Sequence, residues 1–304
     1  MRRAMSRLLL LVLVSASGCR DESDVDAPSA VDAPSTVAAT PPLDYAAQIA
    51  MLPERPSAGQ ETRVALRITA PSGSPQLDSI ASNPVHLVAV NRDLTWYEHR
   101  HPQLTSGAYA AALTFPADGE YVLHAILWPK DRPQLVQKQI VTVGNPARPA
   151  ASQRLTISGR VARSGAYTTR LRTNPEPPAT GRWISLIFDL SRDGEPVTNL
   201  TPTGTLGHMV ILREGGEDFV YAHSTDGEAL RGVRSRAHLP ALPSSLDDHR
   251  RHVGDTGPEV TFHTQFPRVG RYKMWVEFLA GSDSIQGDFV IHVGEAKPLP
   301  RHVD

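Results

Sequence analysis

The chain of 304 residues holds one cysteine, Cys19. A lone cysteine excludes an intramolecular disulfide, cysteine-ligated zinc, covalent haem attachment and the cysteine-ligated blue-copper centre, so packing alone must hold any folded part together. Lys and Arg number 31 against 32 Asp and Glu, a formal net charge of −1. With no cationic excess, nothing draws the chain to nucleic acid. HExxH, the GxSxG elbow, the phosphate loop and the dinucleotide fingerprint are all missing, which points to a non-enzymatic binding module. Beyond the first 18 residues no apolar run approaches the roughly 20 that span a bilayer. Little of the chain has helical periodicity.

At the start, Arg2, Arg3 and Arg7 precede an apolar stretch over 8–14, and Ala16-Ser17-Gly18-Cys19 follows. That is the layout of a secretory signal (1–18), and its end matches a bacterial lipobox, so Cys19 is the expected mature N-terminus and lipid anchor. Removing the three leader arginines leaves 28 basic against 32 acidic residues. The mature chain is therefore mildly acidic and tethered to a membrane by lipid. It is expected in the cell envelope, facing the periplasm. Arg20, with no Asp directly after Cys19, favours the outer membrane under enterobacterial sorting. Residues 19–43 are rich in Asp, Ser, Ala and Pro and repeat the string VDAPS at 25–29 and 31–35. Such a composition buries no core and reads as a disordered spacer.

Past the spacer, Val64, Leu66 and Ile68 alternate with Arg63, Ala65 and Arg67, the period of two expected for a half-buried strand. Further strands are predicted at 85–90, 94–99, 109–115, 120–127 and 135–143, separated by Pro and Gly turns. After a Pro/Ala linker near 146–151 the scheme returns at 155–161, 183–190, 208–212, 219–222, 260–266, 271–278 and 287–293. The expected fold class is all-β, with two immunoglobulin-like β-sandwich domains in tandem, 44–145 and 152–295, and a tail at 296–304. Asp118-Gly119-x-Tyr121 matches the tyrosine corner of that fold. Leu123 and Met274 stand where immunoglobulins carry the second cysteine of their disulfide.

The two halves share more than strand spacing. HLVAVNRDLTWYEHRHP (86–102) carries His86, His99 and His101; HMVILREGGEDFVYAH (208–223) carries His208 and His223. Each is followed by Phe-Pro-x-x-Gly-x-Tyr, at 115–121 and 266–272, so the chain reads as a duplicated module. Between these landmarks the second copy has 29 more residues than the first, which assigns 225–258 as an inserted surface loop.

The first motif, HL-hydrophobic-VNRDL, an aromatic, HRHP and then FPxxGxY, resembles the YtkA-like or heavy-metal-associated secreted β-sandwich domains of bacteria. The second half is similar to a companion form, through Gly207-His208-Met209-Val210 and Phe266-Pro267 to Trp275. The likeness extends over most of 60–294. It implies a β-sandwich and a copper or heavy-metal context, with no activity attached. In the second copy Tyr221-Ala222-His223-Ser224 replaces the double-histidine HxHP, so a site there lacks one ligand.

Residues i and i+2 of a strand share a face about 7 Å apart, so His99 and His101 can converge, and His86 can join from a neighbouring strand. Three imidazoles suit copper or zinc, and a site at the end of the first sandwich is expected, exposed and exchangeable. His208 and His223 offer a weaker site in the second sandwich. Met209 lies on the opposite face from His208, and Tyr221 is a further weak partner. Packing accounts for the same histidines, and for His208 and His223 it is the leading reading. In that case the protein is a structural or adaptor protein of the envelope, binding another protein through sandwich edges or the 225–258 loop, with no metal. The loop segment at 251–257, with His252 and Asp255, resembles the zinc-ligating stretch of copper-zinc superoxide dismutases, in one short string only. His124, His263 and His292 fall within strands, and Trp275 at the place of His124 in the second copy suits a packing or surface slot better than a ligand.

Overall fold

The computed structural model describes residues 45–70, 75–79, 83–130, 132–145, 154–201, 205–224 and 259–296. The leader, Cys19, the spacer, the 225–258 loop with His238, His249, His252 and Asp255, and the tail from 297 lie outside the described residues. Among the described residues every regular element is a strand.

The first sandwich comprises β1 (Ala46–Leu52), β2 (Glu61–Thr69), β3 (Val85–Asn91), β4 (Tyr97–Arg100), β5 (Gln103–Thr105), β6 (Ala108–Thr114), β7 (Gly119–Leu127) and β8 (Leu135–Val143). Its sheets run β1-β2-β6-β5 and β4-β3-β7-β8, all antiparallel. The second comprises β9 (Val161–Ser164), β10 (Tyr167–Asn174), β11 (Trp183–Arg192), β12 (Glu195–Pro196), β13 (Gly207–Arg213), β14 (Glu217–His223), β15 (Glu259–Gln265), β16 (Gly270–Ala280) and β17 (Asp283–Val293). Here the sheets are β12-β11-β10-β9, with β15 also on β11, and β14-β13-β16-β17. The duplication is thus topological: β14-β13-β16-β17 repeats β4-β3-β7-β8.

Each sandwich has its own core, centred on Leu66, Leu87, Phe115 and Leu123 in one and on Phe188, Phe262, Met274 and Phe289 in the other. Leu123 and Met274 are fully buried, so apolar packing fills the place of the immunoglobulin disulfide. Both tyrosine corners form. Tyr121 Oη donates to Ala117 O at 2.8 Å, and Tyr272 Oη to Arg268 O at 2.7 Å.

A third core joins the two halves. Val88, Val90, Leu94, Val122, Ile126 and Trp128 of the first pack with Leu155, Val210, Leu212, Tyr221, Trp275 and Val290 of the second. The sheets β4-β3-β7-β8 and β14-β13-β16-β17 therefore lie face to face in the middle of a four-layer stack. This explains why six consecutive residues of β3 and of β13 are buried, a pattern an antiparallel sheet with one solvated face does not show. The described residues accordingly form one compact unit.

Three expectations need correcting. The strand predicted over 94–99 begins only at Tyr97, because Leu94 takes a left-handed φ of 56° in a turn capped by Asn91. Asn91 Oδ1 accepts from the backbone N–H of Thr95 at 2.8 Å and of Trp96 at 2.9 Å. Residues 155–160, predicted as strand, are irregular. Ile157 is 52% exposed, and the segment meets β17 only through Ser158, whose N–H donates to Val290 O at 3.1 Å. Strands β1, β5, β9, β10 and β12 were not expected: β10 points Thr169 and Thr173 inward beside Tyr167 and Leu171, which hides its apolar alternation.

Candidate metal centre

The period of two decides which side chains enter the space between the halves. On β3, Leu87 and Ala89 face the first core, so His86, Val88 and Val90 face the second sandwich. On β13, Met209 and Ile211 face the second core, so His208, Val210 and Leu212 face the first. The expected opposition of Met209 and His208 is seen. Tyr97, His99 and His101 share a face by the same rule, as do Phe219, Tyr221 and His223. Because the two faces meet, the two histidine groups are one cluster, enclosed between the sandwiches rather than exposed at the end of one.

The contact is pseudo-symmetric. A shift of 122 residues relates His99 to Tyr221, and likewise His86 to His208, Tyr97 to Phe219 and His101 to His223. Val88 pairs with His99 in the first sheet as Val210 pairs with Tyr221 in the second. Two cross-stacks repeat the symmetry: Tyr97 lies on Trp275 (5.0 Å, 11°) and Phe219 on His124 (4.1 Å, 10°), each joining equivalent places of opposite halves.

Inside the cluster Tyr221 Oη lies 2.8 Å from His86 Nδ1, 2.8 Å from His208 Nδ1 and 3.1 Å from His99 Nε2. His86 Nδ1 and His99 Nε2 are 3.1 Å apart. One phenol, where the duplication would place a sixth histidine, thus holds three imidazoles from both halves. On its far side His99 turns Nδ1 to the Glu277 carboxylate at 2.8 Å. Trp128 closes the opposite wall, edge-on to His86 at 5.3 Å and tilted against His223 at 5.4 Å.

One nitrogen each of His86, His99, His101 and His208 lies within 4.8 Å of all the others. Burial holds His101, His208 and His223 neutral. The His101 pKa is lowered from 6.5 to about 4 by burial and then by His99; burial, with neighbouring imidazoles, pushes His208 and His223 far below their ordinary value. Tyr221 is held well above its usual 10 by burial and by the Glu277 charge, so its phenol stays protonated. The Nε2 atoms of His101, His208 and His223 are buried without a hydrogen-bond partner. Each such atom costs about 1–3 kcal/mol, and native structures retain few of them without a reason. Neutral imidazoles with bare lone pairs are what a borderline transition metal binds.

The sequence reading singled out His86, His99, His101, His208 and His223, and the fold brings all five together. Glu277 went unnoticed, although it is a lone acid inside the apolar run MWVEFLA of β16. Of the remaining strand histidines, His124 is stacked and buried, and His263 Nδ1 meets Ser185 Oγ at 3.1 Å on the outer sheet, away from the cluster.

Fold and site together define a duplicated β-sandwich protein with an imidazole-rich centre between its halves. A family model described as a domain of unknown function (DUF8832) matches residues 161–295, the second sandwich. A comparison with curated proteins finds no match. Similar solved structures include a two-domain fibronectin type-III segment of chicken tenascin, 8% identical, covering 82% of this chain and 98% of that one at a TM-score of 0.21. They also include the adhesin FdeC of Escherichia coli, 15% identical, covering 82% of this chain and 64% of that one at a TM-score of 0.23. A trypsin-activated alpha-2-macroglobulin of Escherichia coli is 12% identical, with 82% and 16% covered and a TM-score of 0.25.

Proposed function

We propose that this protein binds one copper or zinc ion between its two sandwiches, through His86, His99, His101 and His208, with His223 and Tyr221 beside them. The observation that carries the reading is the set of three buried, unpartnered Nε2 atoms in a five-imidazole cluster. Ligands about 2.0–2.1 Å from one zinc ion stand about 3.3 Å apart, so loading would draw the rings inward and exchange Tyr221 hydrogen bonds for metal bonds. An all-nitrogen, cysteine-free donor set suits Cu(II) and Zn(II) better than a thiophilic ion. The resemblance of 86–121 to heavy-metal-associated secreted domains supports the same reading. So does the leader with Cys19, from which we infer a lipid-tethered, periplasm-facing binding protein rather than an enzyme.

The test is titration of the mature protein with Zn(II) and Cu(II), beside a His99→Ala/His101→Ala double variant and, separately, His208→Ala. Wild type should take up one ion. Variants in either sandwich should each weaken uptake at least tenfold, because both halves supply the same site. Negligible uptake by wild type overturns the reading; loss in the first-half variant alone confines the site to the first sandwich. Incorporation of labelled fatty acid, abolished in Cys19→Ala, checks the tether.

A further inference from the structure

The centre is symmetric in its imidazoles but not in its charge. A shift of 151 residues relates Ile126 on β7 to Glu277 on β16, so one half presents an apolar side chain where the other presents a carboxylate. Glu277 reaches across the domain boundary to a ligand of the opposite sandwich. Its Oε2 lies 2.8 Å from His99 Nδ1, with the His99 side chain 3% exposed and that of Glu277 22% exposed. Its other oxygen accepts from Gln286 Nε2 at 3.1 Å, which fixes the plane of the carboxylate. Tyr97 Oη faces the same charge without closing a well-formed hydrogen bond, and the charge adds to burial in raising the Tyr97 pKa. Gln286 and Tyr97 also line an open cleft of about 510 Å³.

A carboxylate accepts and cannot donate, so His99 must present Nδ1–H to it. Of the two tautomers, this selects the one with its lone pair on Nε2, the atom turned towards His86 and Tyr221 at 3.1 Å. Tyr221 O–H can then donate to His99 Nε2 while accepting Nδ1–H from His208. That leaves His208 Nε2, which has no hydrogen-bond partner, as a bare lone pair.

We propose that Glu277 is the positioning carboxylate of this centre. It selects the His99 tautomer whose Nε2 faces the ion, and through Tyr221 it orders the protons of the neighbouring rings. It also supplies an anionic charge against a bound cation in a wall that is otherwise neutral. This role rests on the metal reading above, and its source is a residue of the second sandwich acting on a ligand of the first. Outer carboxylates of this kind typically tune metal affinity 10–100-fold.

The test uses Glu277→Leu, which removes acceptor and charge, and Glu277→Gln, which keeps an acceptor of the same size. Two quantities are read. Long-range proton–nitrogen correlation spectra of the metal-free protein report the His99 tautomer; competition with a chelator reports the affinity for Zn(II) and Cu(II). Wild type should show the Nδ1–H form alone, Glu277→Gln should keep it with affinity lowered about tenfold, and Glu277→Leu should show mixed tautomers with affinity lowered 10–100-fold. A role in packing alone moves stability but not the tautomer. Glu277→Leu matching wild type in both tautomer and affinity overturns the proposal, as does wild type in the Nε2–H form. Wild type that shows the expected tautomer but takes up no ion overturns the metal reading instead.

Discussion

At the scale of residues, Tyr221 does what no histidine could. A sixth imidazole in its place would add another lone pair to a crowded centre, whereas a phenol donates once and accepts twice. Tyr221→Phe removes Oη from three imidazoles and leaves the buried His208 Nδ1 unpaired, while His86 Nδ1 and His99 Nε2 keep each other. We expect the metal-free variant to lose about 1–3 kcal/mol in urea unfolding while still binding one ion, since the four nitrogen donors remain. His124 makes a second prediction, outside the ligand set. Burial, aided by Lys138, lowers its pKa from 6.5 to about 3, so the folded ring is neutral where the unfolded one charges. Its contribution is complete above pH 6.5 and is lost as pH falls through the window from 6.5 to 3, at roughly 1.4 kcal/mol per pH unit. Against Phe219 an uncharged side chain serves as well. His124→Leu should therefore lose less stability than wild type between pH 7 and pH 4.5, both measured without metal by urea midpoint.

At the scale of elements, strands β3, β7, β13 and β16 are buried on two faces, and that burial can be probed from the side facing the other sandwich. Leu212 would sit on a solvated face in an isolated domain, yet it is fully buried. Leu212→Ala should cost about 2–5 kcal/mol, the range for core truncation, whereas a cost below about 0.5 kcal/mol would mean that the sandwiches are not docked. Gly207, just before His208, has no room for a side chain. A Cβ there would stand 2.8 Å from the Phe278 ring and 3.1 Å from the Glu277 carbonyl oxygen. Gly207→Ala should destabilise by about 1–3 kcal/mol through overpacking and, by pushing β13 off β16, weaken ion uptake too. Much of the element pattern was legible. Strands with contrasting faces, such as β2, announce themselves by alternation. The unbroken apolar runs of β3 and β13 carried a stronger message, burial on both faces, that alternation alone does not convey. By contrast β10 places Thr169 and Thr173 inward, and 155–160 meets β17 only through Ser158.

At the scale of the whole molecule, the third core makes the two sandwiches one cooperative structure. Thermal unfolding should follow a single transition; two resolved transitions would show that the halves unfold independently. An ion held by both halves binds only when they are docked. Zn(II) or Cu(II) at a hundredfold excess over its dissociation constant should add about 2.7 kcal/mol to stability, and in His208→Ala the same ion concentration should add about half of that or less.

Composition and pattern by themselves determined the class of this protein: a lone cysteine removed disulfides and thiolate sites, period-two alternation made it all-β, and the repeated motif made it a duplication. They also named all five clustered histidines. Tertiary structure alone decided that these form one centre instead of two. Registers within each sheet are local and can be read from side-chain period, but the meeting of His86, His99 and His101 with His208 and His223 depends on which faces of two separately folded sandwiches are apolar enough to join. The same docking put Glu277 beside His99, a contact across 178 residues of chain that no local pattern encodes.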